Sequence, residues 1–304
     1  MNITATFTHP DAPAAQSLPL GALYPAFTNW RVPVITALIY FVTVKAINPK
    51  PAKSSFPSAV AAAAAEATSG SSPAVQEKPS APAFTRTAWF KTLVVMHNIA
   101  LCVFSGVTFL NIAPVWVRNL WERPGVEGFC DKDSKVWEEH LFYWSWFFYL
   151  SKYYEIFDTI IILLKGRRTS LLQSYHHAGA IISMYLCVTS RATATWIFVL
   201  FNSFIHTLMY CYYTLTTLNI RPPQWLKKNL TSMQITQFLV GGLLAVSYPL
   251  VPGCLKRADG LIGVERVAYG FVTSYLVPLT ALFVDFARRA YGKRKADVKA
   301  QKSL

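Results

Sequence analysis

The chain is poor in charged residues. Aspartate, glutamate, lysine and arginine make up only 14% of its 304 residues, against roughly 25% in an average soluble domain. Hydrophobic residues make up 53% of the chain and aromatic residues 14%. This shortage of charge excludes an ordinary soluble fold and is typical of a protein whose surface faces lipid.

Acidic residues are especially scarce, with 15 against 29 basic residues and a net charge of +14. The basic residues gather in alternate connections, at 45–53, 165–168, 221–228 and 288–295. The opposite side has a 30-residue N-terminal segment whose one charged residue is Asp11, and a loop over 118–139 rich in Glu and Asp. This is the positive-inside pattern, which predicts a lumenal N-terminus and a cytosolic C-terminus. Because topology accounts for the basic charge, we expect no nucleic-acid partner.

Seven apolar stretches are long enough to cross a hydrocarbon core about 30 Å thick, which takes roughly 20 helical residues. They cover 31–47, 90–114, 141–164, 171–189, 194–217, 231–251 and 264–287. The sequence therefore predicts an all-α, polytopic membrane protein with seven transmembrane helices.

The chain divides into four parts. Residues 1–47 are expected to form a lumenal tail and a peripheral first helix, which inserts as a signal anchor because no cleavable signal peptide precedes it. Residues 48–86 are rich in Ala, Pro and Ser and bury too little apolar surface to offset their ordering entropy. They are predicted to be a flexible cytosolic linker. Residues 87–290 form the six-helix membrane domain with the candidate site, and 291–304 a basic cytosolic tail.

Cysteine is also sparse, with five in the chain. Cys102, Cys187 and Cys211 fall within apolar stretches, where a small buried residue is the default interpretation. Cys130 and Cys254 fall in loops on the lumenal side, where an oxidising compartment would let them pair. We expect a disulfide between these two, with two free thiols as the alternative.

The apolar stretches do contain ionisable and hydrogen-bonding side chains, at helical spacing on four successive helices. The members are Lys152, Glu155, Asp158 and Thr159; Gln173, His176 and His177; Asn202, His206, Tyr210 and Tyr213; and Thr231, Gln234 and Gln237. A charge at mid-bilayer costs roughly 2.5–3.5 kcal/mol on insertion scales, so such groups normally face a protein interior. Four polar faces therefore predict a buried active site. Asn98 adds a further polar wall, whereas the adjacent His97 faces elsewhere and is expected to be structural.

Structural interpretations stay open for these faces. Lys152 with its two carboxylates is either an ion-pair network or support for a neighbouring histidine or a substrate head group. Gln234 and Gln237 are either interhelical hydrogen bonds or the wall of a tunnel. Histidine exchanges protons near neutral pH, so the adjacent His176 and His177 favour catalysis. The small residues at 178–180 would let another helix or a ligand approach closely.

Metal chemistry is not expected. Six histidines are too few for the several histidine boxes of a membrane di-iron centre. A zinc ion on His176, His177 and His206 would lack a cysteine or carboxylate ligand at the usual spacing. We expect neither a metal nor any other cofactor.

The polar residues resemble the motifs of the ELO family of very-long-chain fatty acid elongases. K-x-x-E-x-x-D-T covers 152–159, N-x-x-x-H-x-x-M-Y-x-Y-Y covers 202–213, and T-x-x-Q-x-x-Q-F covers 231–238. The resemblance extends over nearly all of 87–290. It implies an endoplasmic reticulum enzyme whose last six helices form a barrel around an acyl tunnel closed toward the lumen. It also implies the condensation of malonyl-CoA with an acyl-CoA to give 3-oxoacyl-CoA, with CoA thioesters as substrates and no cofactor.

One position departs from the family's H-x-x-H-H box, because Gln173 replaces the first histidine. Glutamine cannot transfer protons, so acid–base chemistry must fall on His176, His177 or His206. A Q-x-x-H-H box is similar to that of microalgal elongases acting on C18 polyunsaturated chains with the first double bond at Δ9. That resemblance implies the same class of substrate here.

A histidine nucleophile fits these residues, since no candidate cysteine with a base is present. We expect His176 to accept the acyl chain, with His206 or His177 assisting decarboxylation and Asn202 and Tyr210 stabilising oxyanions. The expected substrate-binding residues are Lys152, Glu155, Asp158, Thr159, Gln173, Tyr210, Tyr213, Gln234, Gln237 and Asn98. Basic cytosolic loops would attract the phosphates of CoA.

The alternative is a seven-span receptor or a proton-coupled transporter that uses the same groups as a buried relay. It does not explain why the polar faces cluster on the middle helices near basic loops. For an elongase, we expect membrane lipids, acyl-CoA and malonyl-CoA as partners, together with the ketoreductase, dehydratase and enoyl reductase of the elongation cycle. The oligomeric state stays open, with a homodimer as one alternative.

Overall fold

The computed structural model describes residues 18–48, 82–255 and 262–301. All regular structure within these ranges is helical, without a strand, so the all-α class is confirmed for them. The eight long helices are α1 (Arg31–Ile47), α2 (Ala88–Glu122), α3 (Phe142–Tyr154), α4 (Ile156–Leu164), α5 (Leu171–Thr189), α6 (Thr195–Thr217), α7 (Gln224–Ser247) and α8 (Ile262–Gln301). Most of the predicted linker, at 49–81, lies outside the described residues. The first part of the predicted C-terminal tail continues α8.

Helices occupy all seven stretches predicted from apolarity, but the third is broken. Helix α3 ends at Tyr154 and α4 begins at Ile156. Glu155 lies between them in a turn, and its carbonyl accepts a hydrogen bond from the Asp158 N–H at 3.1 Å. The break therefore falls within the stretch that carries Lys152, Glu155 and Asp158.

Within the described ranges, three helices are long and apolar enough to cross a membrane, namely Ala88–Glu122, Gln224–Leu250 and Gly263–Ala290. The segments Gly21–Phe27 and Arg31–Ile47, bent by 73°, make a fourth if they count as one span. Helices α3 and α4 are individually too short, and the polar side chains of α5 and α6 lower their mean hydropathy. These apolar helices indicate a multi-pass membrane protein, and the count of seven spans stays a prediction.

Helix α5 lies at the centre of the packing, against α1, α3 and α8. The other main contacts join α2 to α6, α6 to α7, and α7 to α8. Gly179 permits the close approach of α8, because the ring of Tyr275 stands where a side chain at 179 would lie. The Tyr275 hydroxyl also donates to the carbonyl oxygen of His176 at 2.9 Å. The expectation that small residues after the histidines admit another helix is confirmed.

The end of the bundle remote from Lys165 is closed by aromatic residues and a polar cap. Trp116 stacks on Trp196 with ring centroids 4.4 Å apart. Asp131 is 1% exposed and accepts hydrogen bonds from the backbone N–H groups of Val136 and Trp137 at 3.1 and 3.0 Å. Arg123 pairs with the same carboxylate at 3.0 Å. The buried charge is thus paired, as a charge removed from water must be.

A disulfide joins Cys130 and Cys254, whose Cα atoms are 4.7 Å apart and which are separated by 124 positions. The Tyr248 hydroxyl donates to the Cys130 carbonyl oxygen at 2.9 Å, so a hydrogen bond supports the same junction. These are the two cysteines that the sequence predicts to pair. The bridge connects the loop after α2 to the segment before α8.

Replacing Cys254 with serine is expected to lower stability while leaving the chemistry intact. Opening a loop of this length costs roughly 4–5 kcal/mol in the chain-entropy model, and the bridge lies at the opposite end of the bundle from the polar cavity described below. Thermal unfolding and turnover of the full chain check both effects. Cys211→Ser is the control, since Cys211 is outside any disulfide. Two alkylatable thiols at 130 and 254 in the native, unreduced protein would contradict the prediction.

Candidate active site

The polar faces predicted from the sequence meet in one cavity between α2 and helices α4 to α8. Its volume is about 380 Å³. Ten of the predicted residues line it, namely Asn98, Asp158, Gln173, His176, His177, His206, Tyr210, Tyr213, Gln234 and Gln237. Lys165 and Ser170 also line it, so the cavity reaches the basic connection between α4 and α5.

Three histidines cluster in this wall. The rings of His176 and His177 lie 5.3 Å apart between centroids, and those of His176 and His206 lie 6.3 Å apart. His177 and His206 are 5% and 6% exposed, whereas His176 is only half-buried. Of the three, His176 therefore presents the most surface to a molecule in the cavity.

Gln173 contacts the ring of His177. Ser170 caps the start of α5 by accepting a hydrogen bond from the Gln173 N–H at 3.1 Å, a role in which serine is favoured. The Gln173 side chain makes two further contacts. Its Nε2 lies 2.8 Å from His177 Nε2, one turn along the helix, and 3.4 Å from Thr159 Oγ1. Spacing of four residues on a helix brings such side chains together.

Lys152, Glu155 and Thr159 lie behind the cavity wall. The Lys152 side chain is 1% exposed, and its Nζ donates to Glu155 Oε1 at 2.6 Å and to Asn202 Oδ1 at 3.2 Å. The same ammonium lies 3.8 Å from the centre of the Phe148 ring, within the range of a cation–π contact. The structure thus surrounds the buried cation with an ion pair, an amide oxygen and an aromatic face.

Asn202 is oriented by this cation. Since its carbonyl oxygen accepts from Lys152, its amide nitrogen is left as the available donor. Among the described residues, Asn202 Nδ2 and Glu155 Oε2 are buried and find no hydrogen-bond partner. Glu155 Oε1 lies 3.8 Å from His206 Nδ1. An unpaired buried donor one helical turn from His206 has the chemistry needed to meet an oxyanion.

Asp158, on α4, forms contacts with a residue of α2 and a residue of α6. Its carboxylate lies 2.8 Å from His97 Nε2 and accepts a hydrogen bond from the Tyr210 hydroxyl at 2.6 Å. His97, from α2, is therefore hydrogen-bonded, as expected of a structural residue. Its partner is a member of the candidate site, and spacing along α2 alone could not identify that partner.

A second, apolar cavity of about 70 Å³ adjoins the first, and Gln237 and Phe238 line both. Small residues, among them Ser183, Gly241 and Ala268, leave room between α5, α6, α7 and α8. Asn202 also lines this cavity. The arrangement places an apolar volume next to the histidine cluster.

The first helix contacts the site, in contrast to the peripheral position expected from the sequence. The Tyr40 hydroxyl shares a hydrogen bond of 2.7 Å with Thr159. Its ring lies edge-on to His177, 6.2 Å away between centroids.

Over the part of the chain that the structure describes, no group of three or more His, Cys, Asp or Glu residues is placed to hold a metal ion.

The chain is similar to one protein family and to several known proteins. A model of the ELO (GNS1/SUR4) family matches residues 25–299. Over 215 residues the chain is 35% identical to fatty acid elongase sre1 of Dictyostelium discoideum, covering 70% of this chain and 76% of that protein. It is 26% identical to fatty acid elongase 2 of Trypanosoma brucei brucei over 63% of this chain and 73% of that protein. It is 29% identical to very long chain fatty acid elongase 5 of Xenopus laevis over 67% of this chain and 66% of that protein.

Proposed function

The chain belongs to the ELO family and is a fatty acid elongase, a condensing acyltransferase, and from this premise we propose that it joins malonyl-CoA to a long-chain acyl-CoA. The products are a 3-oxoacyl-CoA, CO₂ and free CoA. The observation that carries this proposal is the meeting of three histidines and two adjoining cavities, one polar and one apolar. A thioester at the junction has its carbonyl beside the histidines and its acyl chain in the apolar volume.

The first half-reaction transfers the acyl group to His176. A ring nitrogen attacks the thioester carbon, the C–S bond breaks, and CoA leaves as a thiolate that takes up the proton lost by the acylated ring. The acyl-imidazole keeps the acyl group activated for the second step. The half-buried position of His176 supports this role, since the other two rings are less accessible from the cavity.

The second half-reaction forms the carbon–carbon bond. Malonyl-CoA loses CO₂ to give an enolate, whose carbon attacks the acyl-imidazole and displaces His176, and the released ring takes up one proton from solvent. His206 or His177 assists this step, and the Asn202 amide stabilises an oxyanion. The Tyr210 hydroxyl is expected from the sequence to do the same, but it donates its one hydrogen to Asp158 at 2.6 Å, so we assign it to holding that carboxylate. Lys152, Glu155 and Thr159 lie behind the cavity wall and therefore support these groups, in contrast to the substrate binding expected from the sequence. The polar residues that line the cavity bind the polar end of the substrate.

Substrate placement follows from charge and apolar volume. The basic connections attract the CoA phosphates, and the apolar cavity receives the acyl chain, at about 0.8 kcal/mol for each buried methylene. We further propose that the chain crosses the endoplasmic reticulum membrane seven times and that the last six spans, from α2 to α8, form a barrel. The N-terminus is lumenal and the C-terminus is cytosolic. The ketoreductase, dehydratase and enoyl reductase of the cycle act on the product.

The preferred substrate is proposed to be a C18 polyunsaturated acyl-CoA with its first double bond at Δ9. This proposal rests on the Q-x-x-H-H box, in which Gln173 contacts His177. The very-long-chain 3-oxoacyl-CoA synthase reaction is tested by feeding the purified full chain malonyl-CoA with a panel of C16–C20 acyl-CoAs. Appearance of the two-carbon-longer 3-oxoacyl product, fastest with the Δ9 C18 substrates, is the expected result. If no acyl-CoA in the panel gave a product, the proposal would be overturned, and a receptor or a transporter would be the alternative.

Gln173→His is expected to retain most of the activity. The position has to supply a hydrogen-bonding neighbour to His177, and an imidazole does this as well as an amide. Turnover of the variant on the preferred acyl-CoA provides the measurement. Gln173→Leu is the matched control, because it keeps bulk but leaves the buried His177 nitrogen without its partner, and its turnover should fall. An inactive Gln173→His beside an active Gln173→Leu would contradict this role.

A further inference from the structure

Tyr40 reaches the catalytic wall from a helix that lies outside the cavity. Its side chain is 6% exposed, and the cavity lining does not include it. Its hydroxyl nevertheless shares a 2.7 Å hydrogen bond with Thr159, and its ring borders that of His177. The residue therefore touches the site's supporting layer without touching the space available to substrate.

The side-chain amide of Gln173 links Thr159 to His177. Gln173 Nε2 lies within hydrogen-bond reach of both Thr159 Oγ1 and His177 Nε2, at 3.4 and 2.8 Å. An amide nitrogen carries two hydrogens, so one group can serve both acceptors. A glutamine side chain has considerable rotamer freedom, and a partner that is itself fixed restricts it. Tyr40 provides such fixation, because its hydrogen bond holds the Thr159 hydroxyl.

The register of the first helix is set by a second attachment. Asn48 exchanges two hydrogen bonds with the backbone of Thr169, each 3.0 Å long. Eight residues separate Asn48 from Tyr40, which is about 12 Å along a helix. Thr169 immediately precedes the residue that caps α5. The first helix is thus anchored both beside His177 and beside the start of the helix that carries it.

We propose that Tyr40 is a positioning residue, which holds the ring of His177 through Thr159 and Gln173. The inference rests on the proposed function, in which His177 belongs to the catalytic wall. The linker that follows the first helix in sequence does not weaken this role, because the anchoring contacts are formed by the helix itself. The first helix then contributes to turnover and not only to membrane insertion.

The test uses Tyr40→Phe in the full chain, with Tyr149→Phe as the matched control. Tyr149 is 0% exposed, and its hydroxyl donates to the Phe27 carbonyl oxygen at 2.9 Å. Both variants therefore remove one buried hydroxyl that ties the N-terminal part to the bundle. For Tyr40→Phe we expect kcat to fall on the order of tenfold, as misplacement of a catalytic group does, with KM unchanged. Tyr149→Phe should keep the wild-type kcat.

A second readout needs no substrate. Diethyl pyrocarbonate acylates accessible imidazole nitrogens, and mass spectrometry resolves the modified histidine. In Tyr40→Phe the modification of His177 should become several-fold faster, since Gln173 no longer holds its Nε2, while that of His206 stays unchanged. Equal His177 reactivity in wild type and Tyr40→Phe would overturn the inference. A wild-type chain that forms no 3-oxoacyl product would overturn the proposed function alone, because the labelling still decides the positioning role.

A double-mutant cycle separates positioning from general loss of stability. Thr159→Val removes the hydroxyl through which Tyr40 acts. Adding Tyr40→Phe to Thr159→Val should cause no further loss of kcat, because residues in one hydrogen-bonded chain are not additive. If the loss of kcat in the double variant equals the product of the losses in the two single variants, Tyr40 acts by another route and the proposal is overturned.

Discussion

His176→Ala is expected to abolish condensation while the protein still folds and inserts. The imidazole is the proposed acceptor of the acyl group, and neither of the other two imidazoles in the cavity wall is as accessible. Removing a nucleophile from a concerted set of catalytic groups commonly costs several orders of magnitude, so a loss of at least about 10³-fold in kcat is expected. Product formation by the purified full chain, measured by mass spectrometry of 3-oxoacyl-CoA, checks the prediction.

The control for this variant is His140→Ala, the same substitution outside both cavities. It should keep near-normal turnover. Wild-type protein incubated with acyl-CoA alone should also carry an acyl mass on the peptide containing His176, and the His176→Ala protein should not. Near-normal turnover of His176→Ala, or acylation of a different residue in the wild type, would show that the acyl-histidine mechanism is wrong.

Lys152→Met is expected to cause a large loss of both stability and turnover. Glu155 is 2% exposed, and its Oε1 lies 2.6 Å from the Lys152 ammonium. Removing one partner of a buried ion pair leaves an uncompensated charge and typically costs about 3–5 kcal/mol. Asn202 would also lose the donor that orients its amide, so turnover should fall sharply. Thermal unfolding in detergent and kcat of the folded fraction measure the two effects.

The double variant Lys152→Met with Glu155→Gln distinguishes the origin of that loss. It removes the unpaired charge together with its partner, so part of the stability should return. Activity should not return, because the cation that orients Asn202 is still absent. A Lys152→Met protein as stable as wild type would mean that the ion pair contributes nothing to folding.

Local periodicity was sufficient to predict the helices and the polar faces on them. Side chains three and four positions apart lie on one face of a helix whatever surrounds it. For this reason Gln173 and His177 could be placed together, as could Lys152 and Glu155. Periodicity did not predict the break after Tyr154, because the apolar pattern continues through Glu155 into the next helix.

Contacts between distant segments could not be read from spacing. Tyr40 meets Thr159 across 119 positions, His97 meets Asp158 across 61, and Tyr275 meets the His176 carbonyl across 99. Each of these residues stands in an apolar stretch where an aromatic or a single histidine is ordinary. The composition of the linker likewise says nothing about where the preceding helix docks.

The sequence by itself determined the helical class, the positions of the apolar stretches and the residues of the histidine cluster, because these depend on local pattern and on the cost of burying polar groups in lipid. The tertiary structure alone decided which polar residues face the cavity and which stand behind it. Lys152, Glu155 and Thr159 share the helical spacing of Asp158, yet only Asp158 lines the cavity. The physical reason is that a helix fixes the direction of its side chains relative to its own axis, whereas the packing of its neighbours decides what lies in that direction.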